Sequence, residues 1–310
     1  MSIPANSTGR GLRTLSFEVM PPRRPNLAPK FWGTVDKLLQ TEPDFISVTY
    51  GAAGQDRSSA RAVVRRLVRD TPVQPIAHLT CVGASRAEVA SVVTDYLDSG
   101  VRTFLALRGD PPVNYPDWRP QPGGLASATE LVTLIRALER HRTTTEPGAA
   151  LRAAFKPLTI AVATFPSGNP EVGTTPEQEI ERLLVKQAAG ANFAITQLFF
   201  DAEAYVSFTE KARAYGVTIP IVAGILLPTD PTRLARVADL TKVQAPTFLL
   251  DDLAAAHDEQ DLYLRGIKHG VALARNILDA GAPGVHLYTF NNAQPALDLL
   301  DQVPELTPLP

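Results

Sequence analysis

The segment Leu15-Ser16-Phe17-Glu18-Val19-Met20-Pro21-Pro22 carries the pattern from which the fold follows: a short apolar run, a polar residue near its end, and then a proline turn. Broadly similar runs, ending in polar or aromatic residues, occur at 45–51, 75–81, 104–111, 159–166, 193–198, 219–224 and 285–289. Buried parallel strands are typically short and continuously apolar. We therefore predict a buried parallel strand in each of these segments.

Amphipathic helical patterns lie between the predicted strands. Two of the helix starts carry capping boxes, Ser85 with Glu88 and Thr175 with Gln178, in which each side chain bonds the other residue's backbone amide. Alternation of strands and helices predicts a parallel sheet. Because the alternation is roughly eightfold, closure into a barrel is favoured over an open, doubly wound sheet.

The predicted fold class is α/β, a single (β/α)8 TIM barrel with extra loops. Such a barrel needs about 250 residues, and the 310-residue chain has no break in composition that would mark a second domain. We expect a flexible N-terminal tail at 1–13, the catalytic barrel at 14–303 and a C-terminal tail at 304–310.

Composition and charge exclude several classes of protein. The formal net charge of -2 gives no bulk attraction to nucleic acid or to an anionic membrane. The single cysteine, Cys81, excludes an intramolecular disulfide framework and a cysteine-rich metal centre, and we predict no metal site. Neither a signal peptide nor a bilayer-spanning stretch is evident. We expect a cytoplasmic enzyme acting on small molecules, with its oligomeric state left open.

Two connections are longer than a tight turn between strand and helix. Residues 111–124 follow the fourth predicted strand and are rich in proline and aromatic residues, so they form either a lid or pocket wall or a surface loop without a role. Residues 141–157 are expected to be an exposed connection on the opposite face. The chain has no Gly-x-Gly-x-x-Gly and no Walker loop, so a nucleotide would bind through barrel loops.

The strand-end motifs resemble one enzyme family. The run Phe17-Glu18-Val19-Met20-Pro21-Pro22 is similar to the Phe-Glu-x-x-Pro-Pro signature of the methylenetetrahydrofolate reductases. Further similar segments follow in the same order at 48–52, 78–81, 106–110, 191–197, 199–201 and 224–226. The resemblance spans about residues 14–291. It implies a (β/α)8 barrel and NAD(P)H-dependent reduction of 5,10-methylenetetrahydrofolate to 5-methyltetrahydrofolate.

The resemblance assigns the acid chemistry to Glu18. The folate ring must open to an electrophilic iminium before it accepts hydride, and opening needs a proton on the leaving nitrogen. A carboxylic acid whose pKa is raised by burial to about 6–7 can deliver that proton. We predict that Glu18 is this general acid; the alternative is a surface glutamate at a strand end.

Three more residues are predicted to meet the folate. The residue that matches Asp110 lies near the pterin in the family, where a carboxylate would stabilise the cationic iminium; the alternative is a turn or helix-capping aspartate. Gln197 carries an amide suited to the pterin edge, or it is a turn residue. Tyr288 ends the last strand and either closes the pocket or belongs to the core.

The usual members of the family hold FAD between NAD(P)H and folate, and only some of the matching positions are kept. The retained ones, predicted to bind cofactor, are Thr49, His78, Arg108, Asp110, Ala128 and Lys186. Positions usually held by tyrosine, histidine, arginine or another aromatic residue are here Ser127, Phe165, Asn169, Val185, Pro231 and Asn292. Each lost contact costs roughly 1–3 kcal/mol. We therefore predict that FAD is absent and that hydride passes directly from NADH or NADPH.

Three alternatives stay open at this point. The first is an ordinary FAD-containing member of the family. The second is a pterin-binding methyltransferase, which needs no nicotinamide. The third is a non-catalytic folate-binding protein, which would not require Glu18.

Overall fold

A computed structural model describes residues 13–50, 57–109, 119–120 and 122–307 of the chain. Asp110, most of the 111–124 loop, and the tails 1–12 and 308–310 lie outside the described residues. The predictions for these parts of the chain therefore have no structural account.

Eight parallel strands close into a barrel in the order of the sequence, which confirms the predicted fold class. Each strand pairs with the next, and the last pairs with the first to complete the barrel. The strands are β1 (Thr14–Val19), β2 (Phe45–Val48), β3 (Gln74–Thr80), β4 (Thr103–Leu107), β5 (Thr159–Thr164), β6 (Phe193–Thr196), β7 (Ile221–Ile225) and β8 (Gly284–Tyr288).

Helices connect the strands, and the two predicted capping boxes are confirmed at the starts of α3 and α6. The α-helices are α1 (Ala28–Leu39), α2 (Arg57–Asp70), α3 (Arg86–Asp98), α4 (Ala128–Thr145), α5 (Pro147–Phe155), α6 (Pro176–Ala188), α7 (Ala202–Ala214), α8 (Pro231–Thr241), α9 (Thr247–Ala254), α10 (Glu259–Asp279) and α11 (Gln294–Leu300). Short 3-10 turns lie at Pro25–Leu27 and Pro304–Leu306. Leu306 is fully buried, so packing continues to the second of these turns.

The segment 141–157 is mostly exposed, as expected, but it is largely helical. Helix α4 continues to Thr145 and α5 follows almost at once. The buried Arg142 holds the end of α4, because its guanidinium lies 2.5 Å from Asp98 and 3.2 Å from Glu146. The contact with Asp98 reaches back to α3, and spacing within the segment itself does not reveal it.

The side chains that face the barrel interior form an apolar half and a polar half. A buried apolar cluster fills one part, with Leu105, Ala161 and Val222 among its members and with Phe45 stacked on Phe193 at 6.1 Å. Towards the carboxyl ends of β8, β1, β2 and β3 the inward-facing residues become polar. Chemistry in barrels of this type collects at the carboxyl ends of the strands, so this polar half is where a site is expected.

Candidate active site

Glu18 lies at the centre of the polar half of the barrel. It is the last but one residue of β1, and its side chain is 21% exposed. The Thr49 hydroxyl donates to Oε1 at 3.3 Å. Oε2 lies 3.7 Å from Nε2 of His78 and 3.9 Å from Nε2 of His286. The carboxylate is therefore largely enclosed by side chains of the protein, at the carboxyl end of β1.

The pKa of Glu18 is lowered, which is opposite to the sequence expectation. Burial raises the pKa of this carboxyl group. The His286 ring, the His78 ring and the Thr49 hydroxyl lower it by more than that, so the pKa is below its ordinary value. Burial also lowers the pKa of His78 to about 4, so that ring is neutral near pH 7. Glu18 without a ligand is thus ionised near neutral pH and must gain a proton before it can act as an acid.

Two buried serine–histidine pairs lie beneath the carboxylate. Ser16 Oγ is 2.8 Å from Nδ1 of His286, and Ser47 Oγ is 2.5 Å from Nε2 of His78. Sequence reasoning assigned no role to Ser16, Ser47 or His286. The signal that could have found them is the period of two in a strand, because residues two apart share a face. Ser16 therefore faces the same way as Glu18, and His286 the same way as Tyr288.

The seam between β1 and β8 fixes the backbone on both sides of Glu18. The Thr289 hydroxyl donates to the Glu18 carbonyl oxygen at 2.7 Å. The Asn291 side chain donates to the Met20 carbonyl at 2.7 Å and accepts from the Met20 amide at 2.9 Å. Phe290 and Asn291 both have positive φ, 48° and 58°. Strained backbone of this kind is common at functional sites, and here it lies directly after the strand that closes the barrel.

Tyr288 forms a wall of the site and rests on a glycine. Its hydroxyl donates to the Thr196 carbonyl at 2.8 Å, and its ring meets His286 edge-on at 5.2 Å. Burial and the nearby Glu18 charge raise the pKa of Tyr288 well above its ordinary value, so the phenol keeps its proton. A Cβ on Gly224 would lie 2.3 Å from the Thr196 carbonyl oxygen and 2.8 Å from the Tyr288 ring. Only glycine fits beneath this ring.

We expect Gly224→Ala to destabilise the barrel and to displace Tyr288. The new methyl group overlaps a carbonyl oxygen and a ring carbon, and overpacking of this kind costs about 1–3 kcal/mol in the free energy of unfolding. Urea unfolding and substrate KM measure the two effects. Gly33→Ala is the matched control, because its Cβ would enter open space on helix α1 and should stabilise by about 0.5–1 kcal/mol. Wild-type stability in Gly224→Ala would contradict the packing argument.

The other predicted site residues lie at different places. Gln197 follows β6, and its Oε1 accepts from the Leu198 amide at 2.9 Å. Arg108 is exposed after β4, and its Nε donates to the Gly109 carbonyl at 3.3 Å. Ala128 is buried as the first residue of α4. None of the described polar contacts joins these residues to Glu18.

Lys186 lies between a helix and the sheet. Its Nζ, on α6, donates to the Ala163 carbonyl of β5 at 2.8 Å. Burial lowers the pKa of this ammonium to about 8. The structure thus brings together Glu18, Thr49, His78 and Tyr288, and leaves Lys186 outside that group.

A cavity of about 960 Å³ opens near the ends of β7 and β8. Helices α8 and α9 and the start of α10 form its walls, and Asn292 lies at its edge. Leu234, Leu250 and Leu253 supply apolar lining, and Arg233 and Asp230 supply charge. Its volume is in the range of cofactor sites.

Two kinds of feature are absent from the described ranges. No cluster of three or more His, Cys, Asp or Glu side chains there is arranged to hold a metal ion. Among the helices described, none has the length and apolar character needed to cross a membrane.

Comparison with known proteins gives consistent matches across the chain. A sequence profile described as "Methylenetetrahydrofolate reductase" matches residues 5–304. The chain is 32% identical over 290 residues to a 5,10-methylenetetrahydrofolate reductase of Pectobacterium carotovorum subsp. carotovorum, covering 92% of this chain and 88% of that one. It is 30% identical over 286 residues to the Escherichia coli (strain K12) protein of the same name, with the same coverage.

A plant relative and a solved structure extend the comparison. A probable methylenetetrahydrofolate reductase (NADH) of Oryza sativa subsp. japonica is 29% identical over 299 residues, which cover 94% of this chain and 48% of that one. An uncharacterized protein from Clostridium thermocellum that binds two copies of 5-methyl-5,6,7,8-tetrahydrofolic acid superposes with a TM-score of 0.64 at 13% identity, covering 95% of this chain and 97% of that one. At that identity the structural likeness establishes the barrel fold alone.

Proposed function

The chain belongs to the methylenetetrahydrofolate reductase family and is an oxidoreductase, and from this premise we propose that it reduces 5,10-methylenetetrahydrofolate to 5-methyltetrahydrofolate with NADH. The family match confirms the resemblance carried by the strand-end motifs. Plant relatives named as NADH-dependent favour NADH over NADPH. The folates bound by the C. thermocellum protein, which has the same fold, are consistent with a folate substrate. The cytoplasmic location stays a prediction.

The observation that carries the proposal is the position of Glu18. Its carboxyl group is partly exposed at the carboxyl end of β1, where a folate bound across the strand ends would present its leaving nitrogen. As the acid, Glu18 transfers a proton to that nitrogen while the carbon–nitrogen bond breaks, which leaves an iminium at the other nitrogen. Hydride then adds to the methylene carbon and completes the methyl group. Each turnover consumes one proton and one hydride.

The remaining folate contacts are proposed from the strand-end motifs. Asp110 supplies a second carboxylate that stabilises the iminium as it forms. Gln197 bonds the pterin edge, and Tyr288 supports the ring from the opposite wall. The fixed hydroxyl of Tyr288, bound to the Thr196 carbonyl, makes this wall rigid before the substrate arrives.

For the hydride we propose direct transfer from the nicotinamide, with no flavin between the substrates. Several residues at flavin-contacting positions have other functions in this chain, and this supports the proposal. The Ser127 hydroxyl accepts from the Glu130 amide as the N-cap of α4. Val185 is exposed and carries no donor for a phosphate, and Lys186 donates to a backbone carbonyl. The donors at positions 127, 185 and 186 are thus lost or already bound.

We propose that the dinucleotide binds across the strand ends and extends into the 960 Å³ cavity. The apolar walls of the cavity suit an adenine ring, and Arg233, which lies 3.8 Å from Asp230, is the cation in its lining that could turn to a phosphate. Thr49 and Arg108 are the proposed contacts at the strand ends. His78 is only 4% exposed, so a cofactor reaches it only past Glu18.

An assay of nicotinamide oxidation tests the proposed function. NADH should be consumed only when methylenetetrahydrofolate is present, and 5-methyltetrahydrofolate should form in equal amount. A pterin-binding methyltransferase would leave NADH untouched, and a folate-binding protein would retain the folate unchanged. Either of those results, with folded protein, would replace the reductase proposal. Mass spectrometry of the folate product measures the outcome directly.

A further inference from the structure

His286 on β8 is a buried imidazole that the proposed reaction does not yet use. The residue is fully buried, and Nε2 is one of the few buried polar side-chain atoms of the described residues without a hydrogen-bond partner. This atom lies 3.9 Å from Glu18 Oε2. A buried unpaired polar atom costs free energy, so its position beside the proposed acid calls for a functional explanation.

The rest of the ring is held in place by its neighbours. Ser16 Oγ lies 2.8 Å from Nδ1, and Tyr288 packs edge-on against the ring at 5.2 Å. A serine hydroxyl both donates and accepts. Ser16 can therefore donate to a bare Nδ1 or accept from a protonated one. The imidazole can thus gain or lose a proton at Nε2 while its other nitrogen stays hydrogen-bonded.

We propose that His286 is the proton partner of Glu18, a positioning residue whose Nε2 keeps the proton that the carboxyl group later delivers to the folate. The inference rests on the proposed function of Glu18 as the acid. In the transfer the Nε2–H bond breaks and an O–H bond forms at Oε2. The product pair is a carboxylic acid and a neutral imidazole that keeps its proton on Nδ1 and donates to Ser16. No other reactant is needed.

Substrate that covers the mouth of the barrel supplies the driving force for this proton transfer. In the proposed resting state the shared proton lies on Nε2, and Glu18 is partly solvated. A folate that covers Glu18 removes this water, and desolvation penalises an ion pair more than a neutral pair. Proton transfer from Nε2 to Oε2 then becomes favourable when the acid is needed.

The other titratable groups described around this pair do not compete for the proton. His78 on β3 faces Glu18 as well, but burial lowers its pKa to about 4. Tyr288 on β8 has a pKa well above its ordinary value because of burial and the Glu18 charge. Ser47 on β2, Thr49 directly after it and Ser16 on β1 offer only hydroxyl groups. Of the described groups that face Glu18, His286 is thus the one whose ring nitrogen lies beside Oε2 without another hydrogen-bond partner.

The pH profile of kcat tests this role through His286→Asn. Two interacting groups share macroscopic proton affinities, and the pair keeps its last proton to higher pH than the carboxyl group alone. We expect the alkaline limb of the kcat profile to move to lower pH by about one unit or more. At pH values above the limb, each unit of displacement should lower kcat by roughly tenfold. His141→Asn, at an exposed position on α4, is the control and should leave the profile unchanged.

A shift of the limb to higher pH, an equal loss at every pH, or an unchanged profile would overturn the proposal. A second measurement does not depend on turnover or on the folding of the His286 variant. NMR of the full-length protein follows the imidazole signals with pH in wild type and in Glu18→Gln. The protonation curve of His286 should move to lower pH when the carboxylate is removed, and coincident curves would overturn the pair. If wild type lacks reductase activity, the proposed function fails while this comparison still decides the pairing.

Discussion

Glu18→Gln is expected to abolish most of the reductase activity while leaving the barrel folded. The amide has nearly the same shape as the carboxyl group and can still accept from the Thr49 hydroxyl, but it has no acidic proton for the leaving nitrogen. Loss of a general acid typically lowers the rate by about 10²–10⁴-fold. Steady-state kcat with methylenetetrahydrofolate and NADH measures the effect. Because the lost interaction belongs to the transition state, kcat and kcat/KM should fall together.

Two controls separate the chemical effect from a structural one. Glu181→Gln makes the same substitution at an exposed position on α6 and should retain wild-type kcat. Circular dichroism and binding of 5-methyltetrahydrofolate should show that Glu18→Gln is folded and has a competent site. A variant that retained more than about a third of the wild-type kcat would remove Glu18 from the role of general acid.

The fold could be predicted from the sequence because its signals are local. The run Leu15–Pro22 shows a buried strand by its apolar residues and shows the strand end by its prolines. The capping boxes at Ser85 and Thr175 mark helix starts through residues only three positions apart. Repetition of such signals around the chain is enough to close a parallel barrel. Helix α9 (Thr247–Ala254) carries no such signal, because it is short and has no side-chain cap.

The surroundings of Glu18 could be predicted only in part, because they depend on strand register. Ser16 and His286 are 270 positions apart in sequence and become opposite neighbours only when β8 pairs with β1. The flanking residues Phe17 and Val19 predict burial, and burial alone would raise the pKa of the carboxyl group. The two imidazoles that lower this pKa come from β3 and β8, so the direction of the shift required the assembled barrel.

The retained and the altered cofactor positions differ in what their side chains contact in the folded barrel. Thr49 remains at its strand end, and the structure places its hydroxyl on Glu18. A residue that supports the acid is needed whether or not a flavin is bound, so its retention does not indicate FAD. Ser127 and Asn169, in contrast, shape local backbone: Ser127 caps α4 and Asn169 accepts from the Glu171 amide. Altered positions are therefore more informative about the cofactor than retained ones.

The purified protein is expected to be colourless and fully active with NADH and methylenetetrahydrofolate alone. Each absent flavin contact is worth roughly 1–3 kcal/mol, so the loss of several weakens FAD binding by orders of magnitude. Without a flavin to store the electrons, both substrates must be bound at once, and initial-rate kinetics should be sequential. A flavin enzyme would instead show ping-pong kinetics. The visible absorption spectrum, taken before and after addition of FAD, is the first measurement.

Isotopic labelling tests the same prediction by following the transferred hydrogen atom itself. NADH that carries deuterium at the transferred position should place the label in the methyl group of the product, because direct transfer never exposes the hydride to water. Passage through a flavin N–H would allow the label to exchange with solvent. A yellow protein whose activity is lost when FAD is removed and restored when it is added back would establish the flavin route. Glu18 would still be required as the acid in that case, because ring opening precedes hydride transfer from either donor.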